Sequence, residues 1–237
     1  MIVSFKTSIS SYIDTIKPIF IIKHTLTSFI NYFTICIFEI NNKFKRCILT
    51  FYMEIIKHRI NCISDINSEF GAEIDVRDSN GKIVLSHDYP DKNSQTLSNF
   101  LEYFPKNRLL AINVKSCGIE IDVNNIVKQT HNNYFLFDFS LPYLLKSINM
   151  QIPCALRLSE YEKEQLNGPK WVWVDSFHSI WYDDEYLQLI KNNGYKTVLV
   201  SPELHKRTNE LDYQKIESFI DKKLVDAICT DVPDKWK

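Results

Sequence analysis

The chain has 237 residues, 45% of them apolar and 24% charged, with a formal net charge of −1. That balance is ordinary for a soluble globular protein; it makes no global field toward anionic lipid and offers no basic stripe of the kind nucleic-acid binders need. The six cysteines are scattered without a C-x-x-C pair, so neither a zinc site nor a disulfide framework is indicated, and free thiols in a cytoplasmic protein are the expectation.

Residues 1–52 are rich in Ile, Phe, Thr and Ser, with lysines interspersed. Their longest uncharged apolar run, Thr25 to Phe38, is shorter than the roughly 20 residues of a membrane span and is diluted by Ser28, Asn31 and Thr34. No A-x-A-like cleavage site follows it, which argues against a secretory signal. Three readings stand side by side: a helical appendage packed on the domain, an interfacial amphipathic helix that would give membrane contact, and a stretch upstream of a natural start at Met53. The expected organisation is an N-terminal extension, 1–52, and one domain, 53–237.

From Met53 onward short β-prone runs recur at Glu54–Ile60, Ala72–Arg77, Leu109–Val114, Tyr134–Phe139, Ala155–Leu158, Trp171–Val174, Thr197–Val200 and Ala227–Thr230. Helical spacing of apolar residues marks Leu97–Phe104, Ile121–Gln129, Leu141–Ile148, Asp183–Lys191 and Tyr213–Leu224 between them. Asp183 and Asp184 before Tyr186, and Gly194 after Lys191, read as a helix start and stop. Strand alternating with helix, eight strands in all, predicts a compact (β/α)8 TIM barrel. Each strand closes on polar residues: His58-Arg59, Glu73/Asp75, Asn113/Lys115, Asp138, Arg157, Asp175, Ser201/Glu203 and Asp231. The C-terminal strand ends of such barrels carry the active site, so these residues predict a polar ring around one. Residues 53–237 fall short of the roughly 250 usual for this barrel, and Asn61 to Phe70 leaves room for only a short helix, so some outer helices must be abbreviated.

Glu73 and Asp75 sit at i and i+2 of one strand, face the same side and can converge on one cation. His58 and His87 lie close in sequence to that pair, and imidazole changes protonation near neutral pH. A hard divalent ion flanked by two histidines suits phosphoryl chemistry. Gly-rich phosphate loops, a G-x-S-x-G elbow and an H-E-x-x-H helix are all missing from the sequence.

His58-Arg59, Gly71-Ala72-Glu73-Ile74-Asp75-Val76 and His87-Asp88 resemble the H-R, G-x-E-x-D-V and H-D blocks of the glycerophosphodiester phosphodiesterases, within the phosphatidylinositol-phospholipase-C-like superfamily. Val225-Asp226-Ala227-Ile228-Cys229-Thr230-Asp231-Val232-Pro233 resembles the family's final strand, V-D-G-I-x-T-D-x-P. The resemblance spans residues 53–237 and looks like a short, divergent bacterial branch. It implies the same barrel, with Glu73 and Asp75 binding Mg²⁺ or Ca²⁺, His58 and His87 as general base and acid, and Arg59 and Lys115 on the phosphate. Two departures stand out. Asn113, in Ile112-Asn113-Val114-Lys115, replaces the third metal carboxylate of I-E-I-K, and Ile60-Asn61 stands where a glycine follows H-R, which is expected to reshape the pocket floor. Arg157, Asp175, Glu203 and Trp236 are the candidate substrate-binding residues, Trp236 as a stacking surface at the mouth. The implied activity is metal-dependent hydrolysis of a small phosphodiester; the alternatives are a catalytically reduced barrel that binds a phosphorylated ligand and a membrane-surface phospholipase anchored by residues 1–52.

Overall fold

In the computed structural model, residues 53–163 and 168–237 are described, and every expectation about residues 1–52 lies outside them. Nine strands form one sheet: β1 (Glu54–Lys57), β2 (Gly71–Ser79), β3 (Lys82–Leu85), β4 (Leu110–Val114), β5 (Tyr134–Phe137), β6 (Ala155–Leu158), β7 (Trp171–Val174), β8 (Lys196–Val200) and β9 (Ala227–Thr230). Eight of them run parallel in the order β5-β4-β2-β1-β9-β8-β7-β6. A single bridge, Leu136 to Cys154, joins β5 to β6 and brings the sheet round on itself. The expected (β/α)8 barrel is the observed fold.

Strand composition explains the layering. β4, β5 and β7 are buried along their whole length, as parallel strands with both faces covered must be. Alternate residues point inward, and Ile56, Leu109, Ala111, Phe135, Phe137, Trp171, Trp173, Val198 and Cys229 fill the barrel interior. Phe137 stacks on Trp173 with ring centroids 4.1 Å apart, forming the upper layer of that filling. The outward-facing residues, such as Ala72, Ile74 and Val76 of β2, pack beneath the helices.

Those helices are α1 (Leu97–Tyr103), α2 (Glu120–Val127), α3 (Leu141–Asn149), α4 (Asp184–Asn192) and α5 (Glu210–Asp221). Their starts obey local chemistry: the side chains of Thr96, Asp183 and Asn209 accept hydrogen bonds from the amides of Asn99, Tyr186 and Leu211. The link from β1 to β2 holds only one 3₁₀ turn, Ile63–Asp65, as its length required. None of the described helices is long and apolar enough to cross a membrane.

One element escaped the sequence reading. β3 pairs antiparallel with β2, from Val76 against Leu85 to Ser79 against Lys82. Its turn is Asn80-Gly81, with φ of +49° and +74°, a residue pair suited to two-residue hairpins. The hairpin matters to the site because it returns the chain over Asp75: the Ser86 amide donates to the Asp75 carbonyl at 3.0 Å, and His87 follows at once.

Candidate active site

A cavity of about 340 Å³ opens at the C-terminal strand ends. Among its lining residues are His58, Arg59, Glu73, Asp75, His87, Asn113, Lys115, Arg157 and Asp175, so nine of the eleven residues singled out from sequence meet in one cleft. The Phe137–Trp173 stack forms its floor.

β1 delivers His58, whose Nδ1 lies 3.1 Å from Asp231 Oδ1 at the end of β9. Burial lowers the proton affinity of His58, and the Asp231 carboxylate only partly restores it, so its pKa stays below the ordinary histidine value. Arg59 is held at φ +55°, a region that non-glycine residues occupy at a cost. That turn aims the Arg59 amide at Glu73 Oε2, 2.7 Å away. Ile60 does not reshape the pocket floor, contrary to the expectation: it is buried in the outer layer, since the turn at Arg59 directs it away from the cleft. Asn61 instead clamps Asp75, donating from Nδ2 to Asp75 Oδ2 and accepting from the Asp75 amide, both at 2.8 Å.

Glu73 and Asp75 are almost wholly buried, at 2% and 1% exposure. Burial, followed by the neighbouring charge of Asp75, pushes the Glu73 pKa up to about 8. Asn113, paired in register with Asp75 across β2 and β4, donates from Nδ2 to Glu73 Oε1 at 3.2 Å. Its carbonyl Oδ1 is buried and has no hydrogen-bond partner among the described residues. Buried acceptors are nearly always satisfied, so this orphaned oxygen beside two carboxylates is an observation that asks for a ligand. The set is all oxygen, which suits Mg²⁺ or Ca²⁺. Among the described residues no three His, Cys, Asp or Glu side chains group as metal ligands; the donors here are two carboxylates and an amide. These residues fit a hard divalent cation.

Cations line the neighbouring wall. Lys115 Nζ lies 3.5 Å from both Asp75 Oδ1 and Asp138 Oδ2. Arg157 pairs with Asp138 through one guanidinium nitrogen and donates from Nε to Glu162 at 2.7 Å. Asp138 sits at φ +67°, a second left-handed residue at the rim. His87 is more open: its Nδ1 lies 2.9 Å from Asp88 Oδ1, and its carbonyl accepts from Arg77 Nε and Nη2 at 3.1 and 2.9 Å. Arg77 also donates to the Lys115 carbonyl, tying the His87 loop to the end of β4.

Two candidates lie elsewhere. Trp236 does not line the mouth; it is buried against Tyr213, and its Nε1 donates to Thr230 Oγ1 at 3.2 Å. Glu203 faces away from the cleft and accepts from the Ser201 hydroxyl, from Thr230 Oγ1 at 2.6 Å and from the Asp231 amide at 3.1 Å. Burial works to raise its pKa, but these hydrogen bonds win, and it lies below the usual carboxylate value. The cause is the 3₁₀ turn Pro202–His205 after β8, which turns Glu203 inward beneath the β9 loop and brings His205 to the cleft. The sequence reading missed His205. There its ring lies 4.7 Å from Phe177 and bonds to the Asp175 carboxylate.

No family model matches the sequence, and no curated protein matches it significantly. The structure is similar to a glycerophosphodiester phosphodiesterase from Thermotoga maritima, with a TM-score of 0.60 and 18% identity over 78% of this chain and 97% of the other. It is similar as well to a phosphodiesterase from Oleispira antarctica solved with the product sn-glycerol-3-phosphate, with a TM-score of 0.55 and 17% identity over 78% of this chain and 96% of the other. The chain therefore has the barrel fold found in these phosphodiesterases.

Proposed function

We propose that the protein is a phosphoric diester hydrolase that cleaves a diester of the glycerophosphodiester kind. The observation that carries this reading is the meeting of His58 and His87 with the buried Glu73–Asp75 pair and the orphaned Asn113 oxygen in one cleft. The fold shared with two phosphodiesterases, one holding sn-glycerol-3-phosphate, supports it.

Glu73, Asp75 and Asn113 would hold Mg²⁺ or Ca²⁺, and the ion, when bound, supplies positive charge for a phosphate oxygen in the transition state. His58, kept neutral by burial and held by Asp231, takes the proton from the attacking hydroxyl, whether water or a neighbouring hydroxyl of the substrate. The new oxygen–phosphorus bond forms as the bond to the departing alcohol breaks, and His87 gives its proton to that alkoxide. Arg59 and Lys115 would contact the remaining phosphate oxygens, Arg59 as a fork and Lys115 as a point charge.

The Asn113 amide favours a second reading, a barrel that binds a phosphorylated ligand with little turnover, because it removes one negative charge from the cation site. Thermal unfolding of metal-stripped protein with millimolar Mg²⁺ or Ca²⁺ separates the two. Ion binding to the native state raises the midpoint, and Glu73→Ala/Asp75→Ala should abolish the rise. No shift with either ion would remove the metal-dependent hydrolase and leave the ligand-binding barrel.

A further inference from the structure

β5 and β6 share one bridge, where the other neighbouring barrel strands share ladders of two to five register pairs. Beside that bridge the described residues line a second cavity of about 940 Å³. Its apolar walls come from Phe139, Leu141 and Leu144 on one side and Leu156 and Tyr161 on the other. Asp138 and Arg157 line both this groove and the catalytic cleft, so the two spaces meet at that ion pair. The acidic groups of the groove are already engaged: Glu162 accepts from Arg157, and Glu160 accepts from the amides of Phe177, His178 and Ser179. Ser140, Lys163 and the Asp138–Arg157 pair are the other polar groups of the groove, and the rest of its wall is hydrocarbon. Leu141 and Tyr161, 57% and 72% exposed, are large side chains at its edge, Tyr161 with its ring against Phe177 and His178.

We propose that this groove is a second arm of the substrate site and takes an aliphatic chain carried by one alcohol of the phosphodiester. The inference rests on the phosphodiesterase reading for its phosphate end, and the geometry adds the class of alcohol. With the phosphate beside Lys115 and Arg59, a chain on the departing or retained oxygen passes Arg157 and lies along Leu144 and Leu156, removed from water.

Calorimetric titration of the full chain with butyl, hexyl and octyl phosphate, below their micelle-forming concentrations, tests the groove without needing turnover. Affinity should rise roughly 2- to 4-fold for each methylene buried. Leu141→Asp places an acid in the first turn of a helix, where the dipole favours it, so the fold should hold while the slope flattens. Ser140→Trp, which fills the groove instead of charging it, should flatten the slope as well. Equal affinity for all three chains, no binding of any, or a slope unchanged in both variants would overturn the proposal. Turnover of the matching glycerol-phosphoalkyl diesters separates the two levels of the account. Short diesters cleaved without a chain-length slope would sink the groove alone; a slope in binding with no diester cleaved would sink the hydrolase alone.

Discussion

At the scale of single residues, the proton affinity of His58 is a balance between burial, which lowers it, and the Asp231 carboxylate 3.1 Å away, which raises it. Removing the carboxylate charge leaves burial unopposed. Asp231→Asn should therefore move the acid limb of the pH–rate profile to lower pH and reduce the maximal rate, since the imidazole is both a weaker base and less well oriented. A limb that stays in place or moves upward would show that another group is the base. Glu203 acts a layer deeper, as a positioning residue: its carboxylate holds Thr230 and the Asp231 amide, and through them the partner of His58. Its pKa is below the ordinary 4.5, so its contribution to stability is present above that pH and is lost as pH falls through the folded-state value. Glu203→Gln should cost about 1–3 kcal/mol near neutral pH and flatten the loss of stability on acidification, both read from urea unfolding across pH.

At the scale of elements, the eight parallel strands are legible in the sequence, and the antiparallel β3 and the turns beyond the strand ends are not. Alternation in Ala72–Arg77 placed Glu73 and Asp75 on the inner face, and β2 carries them there. Gly71 at its start has a physical reason of its own: a Cβ there would come within 2.6 Å of the Leu109 carbonyl oxygen, where β2 approaches β4. Gly71→Ala should lower stability by about 1–3 kcal/mol, measured as a drop in the urea midpoint. An unchanged midpoint would mean that the strands can part to admit a methyl group. The hairpin β2–β3 was missed although Asn80-Gly81 announces it, because a strict strand–helix alternation leaves no place for an antiparallel strand. Glu203, His205 and Trp236 show the sharper limit. A residue on a strand has its side fixed by parity, whereas one in a 3₁₀ turn just beyond the strand is directed by backbone torsions set by tertiary packing. Hence Glu203 and Trp236, which strand-end position alone puts at the cleft, point beneath it, while His205, which no strand parity singles out, lines it.

At the scale of the molecule, the barrel gathers groups that are far apart in sequence: His58 and Asp231 are separated by 173 positions, and Glu73 and Asn113 by 40. Strand order brings this about, since β1 lies between β9 and β2, and β2 beside β4. The same closed sheet leaves its weakest seam, between β5 and β6, next to the cleft. The account's central claim is that this cleft hydrolyses phosphodiesters with His58 and His87 as its proton carriers. The most direct test is release of a phosphomonoester from glycerophosphodiesters, with Mg²⁺ or Ca²⁺ present, by the wild-type chain and by His58→Ala and His87→Ala variants whose thermal unfolding matches the wild type. Turnover by the wild type that falls by roughly 10² to 10⁴ in each variant is the predicted result. Wild-type turnover retained in both variants, or no turnover of any diester with either ion, would contradict it.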